Sequence, residues 1–336
     1  MDDEFHYYIT YLIAARAGFI PQQAQKIAYA AQLVDDNCEE FVIYGNRGSL
    51  YRNYISQTMN ILRPRENLLR IYPVFHFVPG DPKVETAKRK DGKTSPWITT
   101  PDNLLARHML QSALELGCLY RIGIAAHAYV DTWAHQNFIG KFDDLNSDPA
   151  LPVFSPLRVI NIGHGSFEHQ PDMPALSWTD ERLLHDQVDN RTRFLDAAAA
   201  LYTFLVTDRD PPLVKKADVL QQNINQLRSD IDEDIGPDDP NSKDYYRAQR
   251  IKRYKERARI SEYGGLSLPA YNEDKWFRAA VDIDYFQNDQ RYSWKDKDNF
   301  ENSDWFKFSE AVKAHQKQLW SILKEQKLPE LDRSEM

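Results

Sequence analysis

Cysteine is nearly missing. The 336 residues hold two, Cys38 and Cys118, too few for a disulfide framework and in no C-x-x-C pattern, so a thiolate zinc site is excluded. Any metal must therefore be held by nitrogen and oxygen. Nowhere does the chain approach the run of about 18 apolar residues that a transmembrane helix needs. The opening residues, MDDEFHYYIT, are acidic and lack a basic segment followed by an apolar core, so no Sec-type signal is expected. The default expectation is a cytoplasmic protein, with export by a signal-independent route left open. Excess positive charge is also lacking. A formal net charge of −8 argues against a generic binder of nucleic-acid backbone, which gains affinity by neutralising phosphates, without excluding nucleic acid as a substrate. No internal repeat is visible, and strand signals are sparse.

The chain has 42% hydrophobic and 12% aromatic residues, enough for one large core or two modest domains without staples. Residues 5–18 are apolar, start past an acidic cluster and end at a glycine, the polarity of a buried helix. Pro21 opens a second helix that runs to about residue 36. Segment 41–80 mixes turn signals with short apolar runs, and residues 81–99 read as an exposed loop. A long helical pattern follows from Pro101 to about Phe138, with a break expected near Gly117 or Gly123. Residues 140–180 are rich in Pro, Gly and Asp and read as loops with one short helix. Helical spacing resumes from Asp180, with Thr179 as a candidate cap. Beyond Pro211 and Pro212 the chain is highly charged, with helical patterns near 214–232, 242–261 and 304–326. The fold expected is therefore all-α: residues 1–206 form a metal-binding helical domain, and residues 207–336 a charged helical extension packed on it.

Chemistry concentrates in AAHAYVDTWAHQNF, residues 125–138. His127, Asp131 and His135 recur every fourth position, and four helical residues advance about 6 Å while drifting about 40° around the axis, so all three leave from one stripe. Their apolar surround would bury them, and buried imidazoles and carboxylates need partners, which a metal supplies. The plain alternative is an i,i+4 His–Asp contact on a half-exposed face. Among the other histidines, His6, His76 and His164 sit in apolar or glycine-rich sequence. His315 reads as solvated, and His108 and His185 read as ordinary residues of charged amphipathic helices. Glu168 follows His164 by four positions and would share its face if that piece were helical. Asp35 and Asp36 end the second helix, where two acids at the negative end of a helix dipole call for a compensating cation.

The order His6, Asp35, His76, His127-x3-Asp131, His135, His164-x3-Glu168 resembles the superfamily of bacterial zinc-dependent phospholipases C and the fungal and plant single-strand-specific zinc nucleases. The resemblance covers roughly residues 1–180. The segments HYYITY, VDDN, HAYVDTWAHQNF and GH…PD are more similar still to a bacterial family of unassigned function. The resemblance implies a helical bundle around up to three zinc ions. Asp35, His76, His127 and Asp131 would hold one. His135, His164 and Glu168 would hold a second, and Asp131 would bridge to a third bound by His6 and the N-terminal residue. The phospholipases and nucleases use the amine of a tryptophan there; this chain begins with Met1, so Asp3 or Glu4 would substitute. Asp36 competes with Asp35, which fits better because the family's aspartate closes an apolar helical run. His169 and Asp172 are further possible ligands or supporting partners.

The activity implied is phosphodiester hydrolysis, with Asp35 and Asp131 as catalytic carboxylates and Asp35 accepting a proton from the attacking water. Phospholipid headgroups are preferred over nucleic acid as substrate, because Phe5, Tyr7, Trp133, Phe138 and Trp178 would frame the site and no broad basic surface exists. A zinc nuclease is the nearest rival. From other classes come a non-catalytic scaffold stapled by metal and a delivered toxin whose charged C-terminal half binds a neutralising protein.

Overall fold

The N-terminal helix begins with a widened turn. Glu4–Ile9 is π-helical and runs on as α1 (Thr10–Arg16). The Thr10 amide reaches back five residues to the Phe5 carbonyl, and the Thr10 hydroxyl donates to the same oxygen at 3.0 Å. Such turns are rare and occur disproportionately at functional sites; this one is wholly buried and carries His6. In α2 (Pro21–Asp36) the proline sits in the first turn, where its missing N–H costs nothing. Asn37 then ends the helix, and its side-chain amide donates to the Tyr54 carbonyl at 2.9 Å and the Ser56 hydroxyl at 3.0 Å. The computed structural model describes residues 1–152, 154–237, 243–286, 289–328 and 331.

Two short strands, β1 (Val42–Tyr44) and β2 (Leu50–Arg52), pair as an antiparallel hairpin. Two short helices follow, α3 (Arg65–Leu69) and α4 (Tyr72–Phe75). The long helical pattern beyond Pro101 divides into α5 (Leu104–Leu116) and α6 (Leu119–Ala134). The break falls at Gly117, which takes the left-handed conformation at φ 63° that glycine adopts without strain. Gly123 serves another purpose. A Cβ there would overlap the Ile27 carbonyl oxygen and lie 2.7 Å from the Ala30 Cβ, so its bare Cα lets α6 cross directly on the backbone of α2. Every residue of α6 after Leu119 is buried.

Loops lead to a hairpin of β3 (Ser177–Thr179) and β4 (Gln187–Asp189). Helical structure therefore resumes later than the spacing from Asp180 suggests: α7 (Asn190–Arg209) is capped by Asp189, and the expected division after residue 206 falls inside it. The C-terminal part comprises α8 (Pro211–Val214), α9 (Ala217–Ile235), α10 (Lys243–Arg257) and α11 (Lys275–Ala280). The strands β5 (Val281–Phe286) and β6 (Asp289–Trp294) follow, then α12 (Asp304–Glu325).

These strands overturn the all-α expectation. The chain is a mixed α/β protein, 56% helix and 10% strand among the described residues, with a four-stranded sheet ordered β2-β1-β6-β5. In that sheet β6 lies parallel to β1, Ile43 opposite Tyr292, and antiparallel to β5. The period-two alternation of Val281, Asp282, Ile283, Asp284 and Tyr285 is a strand signal. The three-residue strands β1 and β2 are too short for alternation to show. His315 is a second correction. It is fully buried on α12, its ring stacked on Phe75 at 5.4 Å. His108 is exposed on α5, whereas His185, also exposed, lies in the connection between β3 and β4 and on no helix.

Candidate metal centre

Helix α6 brings the expected stripe to one place, and Asp131 lies at its middle. His6 Nε2 stands 3.1 Å from Asp131 Oδ1, with the His6 ring stacked on His127 at 3.8 Å. His127 Nε2 lies 3.2 Å from Asp131 Oδ2 and 3.1 Å from His76 Nδ1. Asp35, from the end of α2, points Oδ1 at His76 Nδ1 (3.6 Å) and at His127 Nε2 (3.7 Å). Ser56 fixes Asp35 and His76 relative to each other: its hydroxyl donates to the Val34 carbonyl at 2.8 Å, and its own carbonyl accepts from His76 Nε2 at 2.9 Å.

A second group lies beside the first. His135 caps the end of α6; its Nε2 is 3.1 Å from Asp172 Oδ1, and His164 Nε2 is 3.4 Å from Asp172 Oδ2. The Met1 α-amine joins the two groups, 2.6 Å from Asp131 Oδ1 and 3.2 Å from Asp172 Oδ1. The donors fall into three sets able to hold an ion: His6 with His127 and Asp131; Asp35 with His76 and His127; and His135 with His164 and Asp172.

The residues fit a divalent metal on three counts. First, tetrahedral zinc with bonds of about 2.0–2.2 Å places its ligands about 3.3–3.6 Å apart. Five separations among Asp35 Oδ1, His76 Nδ1, His127 Nε2 and Asp131 Oδ2 fall between 3.1 and 3.7 Å. Second, His76, His135 and His164 each direct one ring nitrogen at a backbone carbonyl, those of Ser56, His76 and Glu168 at 2.9, 2.9 and 2.7 Å. Donating that N–H leaves the other nitrogen as a bare lone pair facing the cluster, the tautomer that metal-binding histidines adopt. Third, both His6 nitrogens, His127 Nδ1 and Asp131 Oδ2 are buried without a hydrogen bond, a cost that coordination would remove from the atoms facing the centre.

Electrostatics point the same way. Burial lowers the His6 and His164 imidazoles to about 4 and takes His127 well below its ordinary value, so all three are neutral donors at pH 7. Burial alone would raise Asp131 and Asp172. Nearby imidazoles and the Met1 amine outweigh it and hold both carboxyls well below the usual range. Burial also raises Asp35, helped by the charge on Asp131. For the Met1 amine, burial works downward, but Asp131, Asp172 and Asp35 prevail and push it up to about 11.

Several expected placements change. Glu168 is exposed, because the chain after His164 makes one 3₁₀ turn, Gly165–Phe167, and reverses at Glu168 with φ 52°. The i,i+4 spacing therefore has no helix to act on. A further turn, Gln170–Asp172, returns Asp172 to the site, while His169 stays exposed. Asp36 turns away and accepts from the Tyr271 hydroxyl at 2.7 Å and the Gln32 amide at 3.1 Å. Asp3 and Glu4 are engaged by Arg247 and Arg250, and the group that lies against Asp131 and Asp172 is the Met1 amine. The aromatics expected to frame the site, Phe5, Tyr7, Trp133, Phe138 and Trp178, are buried core residues. Solvent reaches the cluster at Asp35, His164 and Asp172, whose side chains are 26%, 19% and 13% exposed.

The chain belongs to a family described as a family of unknown function (DUF6765), whose model matches residues 1–323. No curated protein matches it, and no solved structure does.

Proposed function

We propose that the protein is a zinc-dependent phosphodiester hydrolase holding up to three ions. The observation that carries this reading is the convergence of three sets of buried and half-buried His and Asp donors from segments scattered over residues 6–172. One ion would be held by Asp35, His76, His127 and Asp131, a second by His135, His164 and Asp172, and a third by His6 and Asp131. Such ions supply Lewis acidity, activation of water near neutral pH and neutralisation of charge on a phosphoryl group.

The chain's own groups have separable tasks. Asp131 stays ionised and orients the imidazoles around it. The carbonyls of Ser56, His76 and Glu168 keep three of those imidazoles in the donor tautomer. Asp35 is the most exposed carboxylate of the cluster and is placed to take a proton from attacking water at the mouth.

Phospholipid headgroup phosphodiesters are the preferred substrates. An acidic chain of net charge −8, with Asp35 and Asp172 at the opening, repels a polyanion such as single-stranded DNA. The buried aromatics lend this preference no support. The test is metal analysis of the purified protein beside a hydrolysis panel of phosphatidylcholine, single-stranded DNA and a generic phosphodiester. Bound zinc and lipid cleavage, both lost in His127→Ala and Asp131→Ala, are expected. Full activity of the metal-stripped double variant refutes the mechanism; DNA cleavage alone makes the protein a nuclease, and bound zinc without turnover makes it a scaffold.

A further inference from the structure

The imidazoles of the centre are not all held in the same way. His76, His135 and His164 are each tied by a ring nitrogen to a backbone carbonyl. His6 has no such tie: neither of its nitrogens makes a hydrogen bond, and its ring is located by stacking on His127 and by the turn that carries it. Whatever holds that turn therefore sets where His6 Nε2 lies relative to Asp131.

The hold comes from the far end of the chain. Glu4, two residues before His6 in the same π-helical turn, is fully buried, and Arg250 of α10 is nearly so. The Arg250 guanidinium donates Nε and Nη2 to the two Glu4 oxygens, each at 2.8 Å, a two-pronged geometry that fixes direction as well as distance. Next to it Arg247 donates to both oxygens of Asp3, at 2.6 and 2.5 Å. One turn further along α10, Tyr254 stacks on Tyr8 at 6.3 Å. The helix is itself anchored, since Arg257 pairs with Asp230 and Asp234 of α9 at 3.1 and 2.9 Å. A buried ion pair is a poor source of stability compared with an apolar pair of the same volume, and its best-attested use is to specify one geometry.

We propose that Arg250 and Glu4, supported by Arg247 and Asp3, are positioning residues of the metal centre: α10 clamps the N-terminal turn so that His6 presents its nitrogen to Asp131. The charged C-terminal helices thereby become part of the apparatus that builds the site. The inference rests on the proposed metal centre and adds to it a selective dependence of one ion on a residue that touches none of the donors.

The test compares wild type with Glu4→Met/Arg250→Met, which removes both charges together and so leaves no unpaired buried ion. Zinc per chain is counted, and the affinity of each ion is read by chelator competition, with circular dichroism as the check on folding. Loss of an outer support of a metal ligand typically costs about 10- to 100-fold in affinity. The expected result is that loss confined to one ion, with the remaining zinc bound as in wild type. A pair that merely stabilised the fold would lower the melting temperature and leave the relative affinities unchanged. If the double variant does not fold, Arg250→Lys, which keeps the charge but not the fork, is read identically and is expected to weaken the same single ion. A folded variant with the full zinc complement at wild-type affinity overturns the inference alone. Wild-type protein that binds no zinc removes the metal centre and this inference with it.

Discussion

Substituting Gly123 by alanine sets two physical effects against each other, and their sizes predict the winner. Gly123 lies inside α6, where helix propensity favours alanine over glycine by about 1 kcal/mol. Against this, the added methyl would overlap the Ile27 carbonyl oxygen, lie 2.7 Å from the Ala30 Cβ and 3.0 Å from the Ala31 nitrogen. Carbon atoms pack comfortably at about 3.5–4.0 Å, so α2 and α6 must separate by roughly 0.7 Å or more. Two of the three obstacles are backbone atoms, which cannot rotate aside. Overpacking of this kind costs about 1–3 kcal/mol, and the rigidity of the obstacle places this case at the upper end. The net expectation is destabilisation by about 1–2 kcal/mol, the reverse of what propensity alone gives. The separation also moves Asp35, on α2, away from His76 and His127, now 3.6 and 3.7 Å distant, so zinc affinity falls as well. Urea unfolding with and without zinc measures both effects. A Gly123→Ala protein as stable as wild type, or more so, would refute the close-crossing account of how the helices place the site.

Asp172→Asn should lower the zinc content of the purified protein, whereas Glu168→Gln, altering an exposed carboxylate, should leave it unchanged; the reverse pattern would return Glu168 to the centre. His315 supplies a pH test, because burial, with the charge of Arg121 adding to it, lowers its imidazole from 6.5 to about 3. Between those values the unfolded chain binds a proton that the folded chain does not, so stability is lost as pH falls, by up to about 1.4 kcal/mol per unit. His315→Leu should flatten this dependence between pH 6.5 and 4.5 in urea titrations; identical slopes for the two proteins would contradict the burial.

The sequence by itself determined which residues are available to bind metal and how some of them are spaced. Within α6 the four-residue interval is enough, because helical periodicity alone puts His127 and Asp131 on one face. Pro21 and Gly117 likewise mark helix boundaries through backbone geometry that belongs to those residues, and both boundaries lie where those residues indicate. The spacing of His164 and Glu168 carries no such information, because it becomes a direction only once the secondary structure is known. The tertiary fold reversed the chain at Glu168 and delivered Asp172 instead. It also decided between Asp35 and Asp36, since a neighbour 235 positions away, Tyr271, takes the Asp36 carboxylate. The sheet lay partly within reach in the alternation of β5, but the pairing of β6 with β1 joins residues 249 positions apart, Ile43 and Tyr292, and no local pattern encodes such a partner. The clamp of α10 on the N-terminal turn is of the same kind: charge and helical spacing are written locally, but which arginine meets which carboxylate is settled only when the two ends of the chain pack together.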